Sequence, residues 1–443
     1  MRALNNRITA RKLAVLLSAA LMVGGGSALA KDEVVMAVPA FLTGGGGAAF
    51  GVPGKNGAEL VVDAINAGTL PAPYNKKGLG GAKIKAIYYD EAGGNTKQVT
   101  EMRTRLQQDK VDLFVGFISS GTCTAVAPVA EELKVLTLMT ICGTPRVFEE
   151  LVKKPKYLFR TINTATASNV SLAHYVAQKM AKKNGYTGIN QNYAWGQDSW
   201  RDFDLAMKVL APKMIQTSTP LFPKLFGGQF GTEISSLLLA PEEIIHSSVW
   251  AGDLEGLILQ GNARGLFKKK TFLFTVGDSG VYRMGKQFPS GALVGARGPY
   301  GIYANAELDK SPLNVWFQKE YRARYKEQPN QASYQYAQGV VAAKYAYDEA
   351  TNSNGGKFPS TEQVIAALTN AEFQSISGKV KMAIGDGHQA ITDDHWGEMA
   401  WSDKLGEPTV KNIVRYKAEC VNPPDKVDSV EWIKGGMKGA KCS

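Results

Sequence analysis

The stretch KIKAIYYDEAGGNTKQVTEMRTRLQQDKVDLFVG, residues 83–116, decides the fold. Residues 83–90 read as a strand, and 96–108 carry Val99, Met102 and Leu106 at helical spacing. Residues 111–115 form a second apolar strand that stops at Gly116. Strand, helix and strand joined by short connections imply parallel strands covered by a helix.

The same alternation continues in both directions. Upstream, 33–38 is a short apolar run that reads as a buried strand, and a Gly-rich loop, 43–51, leads into Ala58, Val61, Val62 and Ile65 at helical spacing. Downstream, a helix near 124–133 precedes a strand at 135–140. The pattern restarts after 157–161. Helices are expected at 168–183, 198–210, 233–239 and 254–264, with strands at 188–193, 215–221, 244–250 and 271–276. Two successive α/β sheets, hence two lobes, are the expected fold class. Segment 312–350 is strongly helical, 360–368 is a further helix, and 379–384 and 412–416 read as strands.

The beginning of the chain bears on its compartment. Arg2, Arg7, Arg11 and Lys12 precede an apolar run, 13–23, then three glycines and Ala28-Leu29-Ala30. That order is a secretory signal peptide, expected to be cleaved after Ala30, and the apolar run is too short to span a bilayer as a helix. An exported chain permits disulfides. The four cysteines, Cys123, Cys142, Cys420 and Cys442, allow three pairings, of which Cys123–Cys142 and Cys420–Cys442 close the short loops. The formal charge of +11 is spread along the chain rather than gathered with aromatics on one face, so nucleic acid is not an expected partner.

In open α/β sheets ligands bind beyond the carboxyl ends of strands. The loops after Val38, Val115, Thr140, Tyr193, Trp250 and Val276 are therefore the candidate positions. Residues 117–122 and 140–144 are rich in hydroxyl side chains and free N–H groups suited to a carboxylate, although Ser and Thr also cap helices routinely. Enzyme-like strings fail on inspection. Gly277-Asp278-Ser279-Gly280 resembles a serine-protease nucleophile loop, but Val281 replaces the next glycine and the pattern is α/β. Around Gly54-Lys55, Ala49 and Asn56 stand where a phosphate-binding loop needs Gly and Ser or Thr. Asp386, His388, Asp393, Asp394 and His395 read as a polar turn rather than a metal site. No catalytic residue, metal or cofactor is expected.

In order and spacing these elements resemble the type I periplasmic solute-binding proteins, the family that binds leucine, isoleucine and valine for ABC importers. Four stretches carry the resemblance: 43–51 ending Ala48-Ala49-Phe50-Gly51; Asp90-Glu91 through Leu106 to Gly116; Ser119-Ser120 through Ala125-Val126-Ala127-Pro128 to Thr140; and Tyr193-Ala194-Trp195-Gly196-Gln197-Asp198 with the later Trp250-Ala251-Gly252-Asp253. It implies two Rossmann-like lobes with parallel central sheets joined by a three-crossing hinge, the periplasmic binding protein-like I fold. The lobes would comprise 31–160 with 298–375, and 161–297 with 376–443. Ser120 and the backbone around Ile141 and Gly143 would hold a ligand carboxylate, with Phe50 and Trp195 covering it from opposite lobes. Trp250, Asp253 and Asp278 fall where the family places second-lobe contacts, and Asp278 or Asp253 would neutralise an amino acid's ammonium. The implied protein is a monomer in the periplasm that captures a small organic solute by hinge closure and passes it to a membrane ABC permease. An apolar amino acid is the first expectation for that solute and an aromatic carboxylate or amide the second. An acidic side chain facing the ligand would favour the first, and its absence the second. A secreted α/β hydrolase using Ser279 is the alternative from a different class.

Overall fold

Strands β1 (Glu33–Ala40), β2 (Lys83–Asp90), β3 (Leu113–Gly116), β4 (Leu136–Met139) and β5 (Leu158–Arg160) alternate with helices in the computed structural model, which describes residues 31–304 and 308–442. The signal-peptide expectation, 1–30, lies outside the described residues. Every pairing among these five strands is parallel, and β3, β4 and β5 are buried along their whole length. Burial on both faces is why they are mostly apolar, Thr137 and Arg160 being the polar side chains among them.

A second parallel set follows: β6 (Tyr186–Ile189), β7 (Ile244–Ser247), β8 (Thr271–Phe274) and β9 (Leu293–Gly295). The chain then returns to the first lobe. Helix Gln331–Ser353, buried along most of its length, packs against helix Val52–Ala67. The strongly helical segment 312–350 comprises two helices, broken where Lys326 takes a left-handed conformation (φ 61°) and Pro329 follows it.

Three short strands complete the first sheet: β10 (Glu372–Gln374), β11 (Lys379–Ile384) and β12 (Gln389–Ile391). The sheet order is β10-β11-β12-β5-β4-β3-β1-β2. The expectation that 376–443 belongs wholly to the second lobe is corrected here, because β12 pairs with β5 through Gln389 and Arg160. Only β13 (Asp394–Ser402) and β14 (Glu407–Tyr416) join the second sheet, in the order β14-β13-β9-β8-β7-β6. The strand expected at 215–221 is also absent. That segment makes isolated bridges at Ile215 and Leu221, Ile215 is exposed, and Pro220 removes one ladder donor.

The chain thus passes between sheets after β5, after β9 and after β12. Both cysteine pairs form disulfides, Cys123–Cys142 and Cys420–Cys442. The first ties the start of helix Ser120–Glu132 to the loop after β4; the second fastens the tail beside helix Ala418–Val421. His174 lies beside the second disulfide, but those sulfurs are spent on each other and offer no metal site. Among the described residues no helix is long and apolar enough to cross a membrane.

Candidate functional site

The loops beyond the strands' carboxyl ends meet between the lobes. The first lobe contributes Phe50, Ile118, Ser120, Ile141 and Gly143; the second contributes Tyr193, Trp195, Trp250, Val276 and Arg297. Six of the eight residues singled out from sequence, namely Ser120, Phe50, Ile141, Gly143, Trp195 and Trp250, line this one cleft. The lobes are shut on it. The remaining cavity is about 20 Å³, room for roughly one water molecule.

Aromatic rings from opposite lobes close the cleft. Phe50 meets Trp250 edge-on at 5.1 Å, and Trp250 also packs on Phe226 at 5.2 Å and Phe41 at 6.0 Å. Edge-to-face pairs at such spacings add to plain area burial. The Trp250 indole N–H donates to the Tyr193 hydroxyl at 2.7 Å, and that of Trp195 donates to the Ser248 carbonyl at 2.9 Å. Gly143 makes the approach of the lobes feasible: a Cβ there would lie 2.4 Å from Trp195 Cζ3 and 2.7 Å from Arg297 Nη2.

The carboxylate anchors implied by the resemblance are bonded to one another. Ser120 Oγ accepts from the Gly143 and Thr144 N–H groups at 3.2 and 3.3 Å, and the Ile141 N–H donates to the Phe117 carbonyl. Beneath this loop the buried Glu91 carboxylate accepts from the Ile118 and Ser119 N–H groups at 2.7 and 2.9 Å. Burial pushes its pKa up to about 7, against the opposing pull of those hydrogen bonds.

Arg297 is the residue that sequence reading missed. It follows β9 with a left-handed backbone (φ 56°) and is 2% exposed. Its guanidinium stacks over the Trp195 ring at 4.8 Å and donates to the carbonyls of Ile141 and of Asn163, the latter at 2.6 Å. These partners are neutral, and Nε has no acceptor. Burial lowers its pKa to about 10. Asp394 offsets part of that burial through space but makes no hydrogen bond to the guanidinium, so a desolvation cost remains.

Asp253 and Asp278 do not line the cleft, which corrects the expectation that one of them faces a ligand ammonium. Asp253 accepts from Gln191 Nε2 and from the Phe226 and Gly228 N–H groups at 2.7, 2.7 and 3.0 Å. It fastens the loop that carries Phe226. Asp278 accepts from the N–H groups of Ile302 and Gln331, at 2.7 and 2.5 Å, and so caps helix Gln331–Ser353 from the second lobe. Neither carboxylate could be told from a ligand partner by its place after a strand, since a buried acid there serves a backbone N–H equally well. Ser279 is buried and its hydroxyl donates to the Val276 carbonyl at 2.9 Å, an arrangement without a base.

Comparison with known proteins agrees with the two-lobed fold. A family model described as periplasmic binding protein matches residues 33–398. Among curated proteins, none matches the sequence. Solved structures share the fold at low identity. One is a solute-binding protein of an ABC transporter from Rhodopseudomonas palustris BisB5 in complex with 3,4-dihydroxybenzoic acid: 18% identity, TM-score 0.72, covering 88% of this chain and 98% of that one. Another R. palustris solute-binding protein, in complex with 4-hydroxybenzoate, has 19% identity and TM-score 0.70, covering 87% of this chain and 98% of its own. A leucine-, isoleucine-, valine-, threonine- and alanine-binding protein from Brucella ovis in a closed conformation has 18% identity and TM-score 0.69, covering 88% and 97%.

Proposed function

This chain belongs to the periplasmic binding protein family, whose members are non-enzymatic solute-binding components of ABC transporters, and from that premise we propose that its cleft captures an aromatic carboxylate for import. The observation that carries the reading is Arg297. Its guanidinium lies in an aromatic cleft, bonded only to carbonyls, and no acidic side chain lines that cleft among the described residues. An amino acid's ammonium would find no counter-charge lining the cleft, whereas a carboxylate would give Arg297 a hydrogen-bonded anion in place of neutral carbonyls. Phe50, Trp195 and Trp250 offer faces and edges to a flat ring. That two similar folds were crystallised with hydroxybenzoates supports the same class.

Capture proceeds by hinge motion about the three crossings. The shut cavity of about 20 Å³ is far below the several hundred Å³ usual for organic ligands, so the solute enters an opened form. On closure its carboxylate takes the place of the Ile141 and Asn163 carbonyls on Arg297, with the Ser120 hydroxyl as a further donor. Contacts to both lobes then favour the shut state, which the membrane permease reads.

A thermal-shift comparison of 4-hydroxybenzoate with 4-hydroxybenzyl alcohol tests the reading. A ligand at a hundred times its Kd adds ~2.7 kcal/mol of stability. The acid is expected to raise Tm and the alcohol, which lacks the charge, is not. A shift with neither compound, or displacement of the acid by L-leucine, overturns it.

A further inference from the structure

A second cavity, of about 250 Å³, lies beside the hinge and away from the cleft. Its walls come from 145–153 and 160–164 next to the first crossing, from the β11–β12 turn, and from tail residues 423–428. The tail belongs with the second lobe, because helices Ala418–Val421 and Ser429–Lys434 pack on helices Ala165–Lys179 and Ala194–Leu210. The cavity is therefore an interlobe site like the cleft, but none of its lining residues is shared with it.

Its charges are separated. On one side is Arg160, wholly buried, stacked 5.4 Å over the Phe148 ring and donating to Gln389 Oε1 and to the Cys142 and Thr144 carbonyls. All of these partners are neutral. On the other side Glu149 of the first lobe faces Asp428 of the tail and accepts from the Ser429 hydroxyl. Burial and the neighbouring Asp428 push Glu149 up to about 8. Phe148, Pro145, Ile384 and Val427 supply apolar wall. At the rim Lys426 pairs with Asp386 at 2.8 Å, linking the tail to the β11–β12 turn.

A simple carboxylate would satisfy Arg160 but add a third acid to the Glu149–Asp428 pair. A simple amine would do the reverse. A zwitterion meets both ends, and a volume just below the roughly 300–1,000 Å³ of organic-ligand pockets suits a small one. We propose that this cavity is a second ligand site, for a free apolar α-amino acid, with its carboxylate on Arg160, its ammonium against the hydrogen-bonded Glu149–Asp428 pair and its side chain against Phe148. Because its walls belong to both lobes, occupancy and hinge closure are thermodynamically linked.

Titration calorimetry with L-leucine as the probe tests this, run on the mature protein with and without saturating 4-hydroxybenzoate. One equivalent of leucine is expected to bind under both conditions. Asp428→Asn, an exposed position, and Glu149→Gln should each weaken leucine at least tenfold while leaving hydroxybenzoate unchanged. Arg297→Gln should leave leucine unchanged. Leucine that is displaced by hydroxybenzoate, or lost in Arg297→Gln but retained in Asp428→Asn, overturns the second site, as does absence of leucine binding. Hydroxybenzoate failing to bind while leucine remains sensitive to Asp428→Asn would instead overturn the cleft reading and leave this one standing.

Discussion

Replacing Arg297 by glutamine isolates the charge on which the cleft reading depends. Glutamine keeps an N–H donor and part of the stem but removes the cation that stacks on Trp195. Burial in the shut form takes the guanidinium from 12.5 to about 10. At about 1.4 kcal/mol per pH unit, that is about 3 kcal/mol of cost that a ligand carboxylate would offset. The loss of affinity should therefore be about a hundredfold, within the 2–5 kcal/mol typical of removing one member of a buried charge pair. The assay is calorimetry with 4-hydroxybenzoate on wild type, Arg297→Gln and Arg297→Lys. Lysine keeps the charge without the planar fork and should fall between the two. The unliganded Arg297→Gln protein should melt no lower than wild type, because a buried cation with part of its desolvation cost unmet has gone. A Kd for Arg297→Gln within threefold of wild type would refute the reasoning, whatever happens to Tm.

Further expectations follow from the same geometry. Gly143→Ala places a methyl group against Trp195 and Arg297, so the shut state should be disfavoured and hydroxybenzoate affinity should drop at least tenfold; small-angle scattering should show a more open average form. Trp195→Ala removes the ring under Arg297 and a wall of the cleft, and should cost about 2 kcal/mol of binding by calorimetry. Removing the Cys123–Cys142 bridge by double substitution to serine should cost about 3 kcal/mol of stability for a loop of this length, read by urea denaturation. Glu91 gives a pH dependence. Its pKa is about 7 when folded and near 4.5 when unfolded, so its contribution is fully present below 4.5 and lost as pH rises through 7. Asp278, also raised to about 7, and Glu149, raised to about 8, act in the same direction. His246 and His395, lowered to about 3 and 4 by burial, act oppositely but only below about 6.5. Tm should therefore fall between pH 6.5 and 8, and Glu91→Gln should flatten that fall; an unchanged slope would remove Glu91 from the account.

The sequence made the fold legible where strands are buried on both faces. The runs at β1, β4 and β8 stand out because nearly every position along them is apolar or β-favouring, whereas β2, at the sheet edge, shows by its Ile, Ala and Tyr residues beside exposed lysines. It concealed β9, three residues long, and β13, whose buried and half-buried positions do not alternate regularly, and with β9 went Arg297. Once Leu293–Gly295 is known to be a strand, Arg297 occupies the same post-strand position as Ser120 and Trp195, and the rule that found those would have found it. The return of β11 and β12 to the first sheet was hidden for another reason: membership of a sheet is set by pairing across more than two hundred residues, as between Arg160 and Gln389, and no local pattern records it.

That same pairing governs the order in which the protein can be made. The first sheet does not receive its β12 strand until Gln389 has been synthesised, and the second lacks β13 and β14 until still later. Contacts of such long sequence separation are slow to form, because loop closure precedes any gain from pairing. A nascent chain therefore runs through most of its length with both sheets incomplete. The two lobes therefore mature late and together, each waiting on strands that the last part of the chain supplies.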